Sequence, residues 1–448
     1  MVECLSRLDT DWNNISQAQL WAATNSLHHR GAAAMCSDIS RLGAHCLNMR
    51  QTLQVQQDWL VSAAQAARYL GDATAESIHL NNLGLVQTGL GDFRRAIGYF
   101  EQALPIARKG GDPRSQAMAL ANLGQAHGGL GEPSVAVSFF QEALGLARTS
   151  ADKDMEGLLT GSLGSVYVEM GQIREGIPLL EKAVVAARER GDLLQLSNVL
   201  NRLGNAYQRL GEARRAIPFY EEGLAVHRRL KQPRVQGTFS GNLAIIYKNL
   251  GDIARAIIYA EEALTNHREA GQRRAEASDL ANLGVFYVKL KDYERSIDYY
   301  KQALVVQAET EDRPSEVITL ANLGIVYRET REYQKAIECY DQAFSVQATV
   351  GDPQGEAKIH SGLGAVYGDL GKIEKAFESY RKAMAIYQKI EDSRGMARCL
   401  VNIAGLLYES GNTDAAIADA EEALRIFERL EDPAAVQVRQ VLAKWHRR

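Results

Sequence analysis

Several things are scarce in this chain of 448 residues, and each scarcity excludes something. Cysteine occurs five times, as Cys4, Cys36, Cys46, Cys339 and Cys399, and no two form a Cys-x-x-Cys pair. An odd count without ligand spacing argues against a disulfide framework or a zinc site and leaves reduced thiols. No run of eighteen apolar residues occurs, so no transmembrane helix is expected. The N-terminal Met1-Val2-Glu3-Cys4 is not a basic segment leading into an apolar core, so no signal peptide is expected and the cytoplasm is the expected compartment. A formal charge of -4 and a pI near 6.2 lack the basic excess of a general nucleic-acid binder. With 46% hydrophobic residues, 24% charged residues and only nine prolines, the composition is that of a folded protein.

Catalytic signatures are missing too. Gly371-Lys372 runs into Ile373 and has no upstream glycine at phosphate-loop spacing. There is no His-Glu-x-x-His and no Gly-x-Ser-x-Gly elbow. The Ser379-x-x-Lys382 string lies inside a helical pattern, and His28-His29 reads as a solvated loop. No catalytic residue, metal or cofactor is expected.

What is present is a period of forty residues, held in register nine times. Its anchor is a Leu-Gly pair at Leu83-Gly84, Leu123-Gly124, Leu163-Gly164, Leu203-Gly204, Leu283-Gly284, Leu323-Gly324 and Leu363-Gly364, with Leu243-Ala244 and Ile403-Ala404 completing the column. A period of this length signals a solenoid, in which each unit buries its apolar face against its neighbours.

Within one unit, Leu200, Leu203, Tyr207 and Leu210 fall at helical spacing, Gly211 offers a stop, and Ala216, Ile217, Tyr220, Leu224 and His227 form a second apolar face. The unit is a helical hairpin, and the array is all-α with no strand expected and helices of roughly 12–16 residues. Gly204 and Ala216 are expected to bring the two helices close. The column of Ala216 reads Ala96, Ala136, Gly176, Ala216, Ala256, Ser296, Ala336, Ala376 and Ala416, with no large residue anywhere. A tyrosine column at Tyr167, Tyr207, Tyr247, Tyr287, Tyr327 and Tyr367 fills space between hairpins. Gly111-Asp112-Pro113 and Gly351-Asp352-Pro353 set helix stop, N-cap and first helical residue in order; Gly191-Asp192 and Asp432-Pro433 repeat parts of this.

The string Asn322-Leu-Gly-x-x-Tyr327, followed by Ala336, Tyr340 and Ala343, resembles the tetratricopeptide repeat. The forty-residue unit, longer than the usual one, is similar to the repeats of kinesin light chain and spindle-orientation adaptors, and to bacterial arrays of the same period. The resemblance implies a right-handed superhelical α-solenoid with first helices lining a concave side. It divides the chain into degenerate N-terminal hairpins at 1–76, nine tandem units at 77–433 and a solvated closing helix at 434–448. Asp11-Trp12-Asn13-Asn14-Ile15 with Leu20-Trp21 resembles the lead-in to tetratricopeptide sensor regions of STAND-class signalling ATPases. All four tryptophans, Trp12, Trp21, Trp59 and Trp445, lie outside the nine regular units, where they would close the exposed ends.

On that resemblance, the ligand face holds Asn201, Arg202, Asn205, Gln208 and Arg209, then Asn242, Lys248 and Asn249, then Asn282 and Lys289, then Asn322 and Arg328, with Ile245, Val285 and Ile325 as apolar floor. Amides there can meet a peptide backbone and the cations can meet carboxylates. The expected partner is a protein or peptide with acidic groups, seated between about residues 198 and 330 and involving neither nucleic acid nor membrane. The asparagine column (Asn82, Asn122, Asn242, Asn282, Asn322, Asn402) could equally bond neighbouring helices. The carboxylate clamp of chaperone-binding members does not fit, because the matching positions Asn201, Asn205, Asn242, Ser278 and Asn282 lack its three cations. Two functions stay open: a non-enzymatic interaction scaffold, or the sensor region of a larger signalling protein such as a STAND ATPase or a linked protease. A receptor for a short free peptide is a third.

Overall fold

The computed structural model describes residues 2–42 and 52–446, with side chains described for 11–41 and 52–446. The described residues form 22 helices and no strand. Cys46 and the side chain of Cys4 lie outside the described residues; Cys36, Cys339 and Cys399 are buried free thiols. The chain divides into two compact units, Met1–Val226 and His227–Arg448.

In the first unit, helices Val2–Asn25, Arg30–Leu42 and Leu53–Leu70 precede the hairpins. Hairpins follow at Ala73–Gly89 with Phe93–Gly110, Pro113–Gly129 with Pro133–Thr149, and Lys153–Glu169 with Ile173–Arg190, before Leu193–Arg209 and Ala213–Leu230. The second unit contains Pro233–Asn249 with Ile253–Glu269, Arg273–Lys289 with Tyr293–Glu309, Arg313–Glu329 with Tyr333–Val350, Pro353–Asp369 with Ile373–Lys389, and Ser393–Glu409 with Thr413–Arg429. Helix Ala434–Trp445 follows.

From Ala73 to Arg429 each helix has 17 or 18 residues, longer than the 12–16 expected. The extra turn runs on to a left-handed residue, such as Gly111 with φ 70° or Gly351 with φ 71°. Glycine is not required at these stops. Lys231, Lys291, Arg331 and Glu391 adopt the same left-handed conformation, at a cost of about 1 kcal/mol each. Arg331→Gly is therefore expected to raise stability slightly, by less than ~1 kcal/mol once the looser unfolded chain is counted. A lower melting temperature in that variant would contradict it. The capping aspartates act locally as the sequence indicates. Asp112 accepts from the amides of Arg114 and Ser115, Asp352 from Gln354 and Gly355, Asp192 from Gln195, and Asp432 from Ala434.

The glycine of the Leu-Gly anchor meets something other than the expected alanine. A Cβ at Gly204 would come within 2.6 Å of the Tyr220 ring, sixteen residues on; at Gly284 it would meet Tyr300 at 2.6 Å, and at Gly84 it would meet Phe100 at 2.3 Å. Gly124, Gly324 and Gly364 face Phe140, Tyr340 and Tyr380 in the same way. Where the anchor is alanine, at Ala244 and Ala404, the residue sixteen on is Ala260 or Ala420. Thus a ring lies against a missing Cβ, and a Cβ against a missing ring. Gly164 departs from this, facing the Gly176 carbonyl and Leu180.

The tyrosine column is also more local than expected. Tyr207 stacks on Phe219, Tyr247 on Tyr259 and Tyr287 on Tyr299, each within one hairpin, at centroid separations of 5.4–5.5 Å. Arg215, Arg255 and Arg295 cover the other faces of these rings at 4.3–4.6 Å. Cation–π contacts of this kind contribute roughly 0.5–1 kcal/mol each at exposed sites.

His79, fully buried in the first unit, lies 2.9 Å from the Ser37 hydroxyl through Nε2. Burial, aided by the Arg41 charge, pushes its pKa down to about 4. The folded state thus keeps the ring neutral down to about pH 4, whereas the unfolded chain protonates it near 6.5. Between those values the unfolded state binds more protons, so stability falls as pH drops through this window, by an expected ~3 kcal/mol. His79→Leu should flatten that part of the pH–stability curve; an equally steep curve would place the dependence elsewhere.

Candidate functional site

The first helices of successive hairpins lie side by side within each unit and present matching positions at forty-residue intervals. In the first unit this face carries a cleft of about 330 Å³. Gly124, Gly128 and Gly129 of one first helix form one side, Ser162, Ser165 and Glu169 of the next form the other, and Arg202 of the third reaches in. The cleft exists because three glycines and two serines stand where side-chain bulk would fill it. The Arg202 guanidinium donates to Ser165 Oγ at 2.9 Å. Its residue surface is exposed, yet protein crowds the guanidinium enough to lower its pKa, opposed by the Glu169 charge. An arginine so placed stays protonated and is partly stripped of water, which strengthens any carboxylate contact it makes.

The other expected residues of this unit share the face in different states. Asn201 is half-buried and Asn205 exposed, and Asn205 Oδ1 already accepts from the Tyr220 hydroxyl at 2.6 Å. Arg209 is exposed. Gln208 holds its side-chain Nε2 away from solvent without a hydrogen-bond partner among the described residues.

In the second unit, Asn242, Asn282 and Asn322 are half-buried at the same helical position of three first helices, and Ile245 and Ile325 stand exposed beside them, with Val285 half-buried. Lys248 is half-buried, Asn249 and Lys289 are exposed, and neither lysine forms an ion pair with a described residue. Arg328 differs from what its place in the sequence suggests. Its Nε lies 2.9 Å from Asp369 Oδ2 on the next first helix, and its Nη2 lies 3.5 Å from Glu329. Its charge is already matched inside the chain.

The asparagine column has a structural use at one point at least, since Asn122 Nδ2 donates to Asn81 Oδ1 of the preceding repeat at 2.8 Å. Sequence reasoning missed the cleft of the first unit, Ser165 and Glu169 included. The signal was the loss of bulk in register at Gly124, Gly128, Gly129, Ser162 and Ser165.

Among the described residues no three His, Cys, Asp or Glu side chains converge as a metal site, and no helix is long and apolar enough to cross a membrane. The tetratricopeptide repeat family model matches residues 76–149, 154–229, 236–304, 274–348 and 355–429, more than half of the chain. The chain belongs to the tetratricopeptide repeat family. No curated protein matches it. Among solved structures, the array is similar to the STAND signal-transduction ATPase with a tetratricopeptide repeat sensor from Pyrococcus horikoshii, with a TM-score of 0.62 and 16% identity over 80% of this chain. The chain spans only 54% of that protein's length. Aspartyl phosphate phosphatase F from Bacillus subtilis gives a TM-score of 0.54 and 13% identity, over 78% of this chain and 93% of its own. BtubC (BKLC) from P. vanneervenii gives 26% identity and a TM-score of 0.43, over 48% of this chain and 91% of its own. These tetratricopeptide relatives share the all-helical solenoid of tandem hairpins.

Proposed function

We propose that this array is a non-catalytic protein-interaction scaffold of the cytoplasm, and that its first-helix faces hold an extended or helical segment bearing carboxylates. The observation that carries this reading is the state of the polar groups on that face. Arg202 is crowded by protein but has no acid bonded to it, and Gln208 Nε2 is hidden from water without an acceptor. A donor kept dry and unpaired costs about 1–3 kcal/mol, which a ligand carbonyl would recover on binding. Arg209, Lys248 and Lys289 add cations without an internal acid, while Ile245 and Ile325 offer exposed apolar contacts. Arg328 contributes less, because Asp369 already occupies it.

A screen of acidic peptides should yield binders whose affinity weakens with added salt. Charge reversal within one unit, Arg202→Glu with Arg209→Glu, or within the other, Lys248→Glu with Lys289→Glu, should then weaken binding roughly ten- to a hundredfold. Unchanged affinity in both folded variants would move the site off these faces.

The second reading is a sensor region within a larger signalling protein. It draws support from the fold shared with the sensor-bearing STAND protein over 80% of this chain. An uninterrupted natural gene that adds no ATPase or protease domain to this chain would end it.

A further inference from the structure

The hairpin Ser393–Glu409/Thr413–Arg429 and the helix Ala434–Trp445 enclose a cleft of about 610 Å³, within the range of ligand sites. Its origin lies in the ring-against-glycine pattern. In a regular repeat, Tyr340 pushes its ring between Gly324 of its own hairpin and Gly362 of the next, where added Cβ atoms would come within 2.9 and 2.5 Å of it. In the last hairpin the corresponding residue is Ala420, which supplies no ring. The slot that a ring would fill is open: nothing lies within 4 Å of a Cβ built on Gly405.

The walls are those of an aromatic pocket. Ala420 and Phe427 form the floor, Val401 one side, and Val438, Val441 and Trp445 the other. Trp445 is fixed in place by stacking on Tyr408, with centroids 4.5 Å apart and ring planes 9° from parallel. The rim is polar, with Asn402 and Gln437 contributing amides and Arg398 a guanidinium. Arg398 is exposed and bonds to no acid among the described residues, whereas its neighbour Arg394 is taken up by Asp432 at 2.7 Å. An apolar slot with a single unmatched cation at its lip suits a ligand that is aromatic at one point and anionic a few bonds away.

We propose that this cleft is a second binding site, which takes a large aromatic side chain followed closely by a carboxylate on a segment of a partner protein. The ligand's ring replaces the one that Ala420 lacks, and its carboxylate pairs with Arg398. This site is separate from the first-helix faces discussed above and does not depend on them.

The test uses the full chain and a labelled peptide, acetyl-Gly-Ser-Trp-Glu-Ser-Gly-amide, followed by fluorescence polarisation. Saturable binding is expected with a Kd on the order of 0.1–1 mM, as suits one buried side chain. Replacing the peptide's Trp by Ala should weaken it at least roughly tenfold. The double variant Ala404→Gly/Ala420→Tyr restores the pair used by the other hairpins, so it should fold, fill the slot and weaken binding by roughly tenfold or more. Arg398→Gln should abolish the preference for Glu over Gln in the peptide, a loss of roughly threefold to tenfold. Unchanged affinity in the folded double variant would overturn the proposal, as would the absence of saturable binding. N-acetyltryptophan binding as tightly as the peptide would assign the pocket to a small carboxylate and overturn it as well. If the double variant does not fold, Arg398→Gln decides: retained discrimination between Glu and Gln overturns the proposal, and lost discrimination supports it.

Discussion

Gly204→Ala is expected to destabilise the array by about 1–3 kcal/mol, and a leucine there by more, because the added Cβ would lie 2.6 Å from the Tyr220 ring. Tyr220 is fully buried, so the ring cannot swing into solvent to make room. Tyr220→Ala alone should cost about 3–5 kcal/mol through the cavity it leaves. The informative variant is Gly204→Ala with Tyr220→Ala. It recreates the pairs found at Ala244 with Ala260 and at Ala404 with Ala420. Its cost should fall short of the sum of the single costs by at least about 1 kcal/mol, since the two residues share one contact. Urea unfolding followed by circular dichroism reads all three variants. Strict additivity would mean that the glycine and the ring do not compete for space.

The second large effect is expected at His267 and Asp279. Both are buried, and Nδ1 of the imidazole lies 2.6 Å from the carboxylate Oδ2. The imidazole is held over Gly237, where a Cβ would come within 2.5 Å of it. Burial raises the Asp279 pKa, while the hydrogen bond from His267 draws it back down. His267→Leu strands the carboxylate in an apolar setting and should cost on the order of 3–5 kcal/mol. His267→Leu/Asp279→Leu should cost less than the single change, because no unmatched charge remains. The position of Asp279 already carries Leu159 or Ile359 in other repeats, both fully buried, so the site accepts an aliphatic residue. Acid separates the two variants further. Protonating the stranded carboxyl removes its charge, so the deficit of His267→Leu should shrink as pH falls, whereas the double variant should show no such recovery. A single variant as stable as the double near neutral pH would show that Asp279 finds another partner.

Much of this structure could be read from local rules. The forty-residue register, the alternation of helices and the capping role of Asp112, Asp192, Asp352 and Asp432 each depend on residues a few positions apart. Interactions between repeats were harder to see. The small column at Ala216 was visible, but the contact that forbids a side chain at Gly204 is made by Tyr220. The clue was the coincidence of alanines at 244 with 260 and at 404 with 420, a pairing that means something only once the two helices are set side by side. The same limit applies to charge. Arg328 looks like a free cation on its own helix, yet Asp369, forty-one residues on, neutralises it. Arg202 looks like its equal in sequence but bonds only a serine hydroxyl. The candidate faces were thus placed correctly on the first helices in outline, while the partners of each cation depended on the neighbouring repeat.

The pairing of each anchor residue with the one sixteen positions downstream also bears on how such a gene can change length. Because both partners sit inside one hairpin, unequal crossing-over that inserts or deletes whole forty-residue blocks leaves every ring with its own glycine. A crossover falling between the two positions of a pair would instead join one hairpin's anchor to another's ring. It could create Ala244 upstream of a tyrosine, which is a clash, or Gly204 upstream of an alanine, which is a hole. Viable recombinants should therefore have their junctions concentrated in the segments between one ring and the next anchor, and the chain can be lengthened or shortened there without redesigning a single contact inside a hairpin.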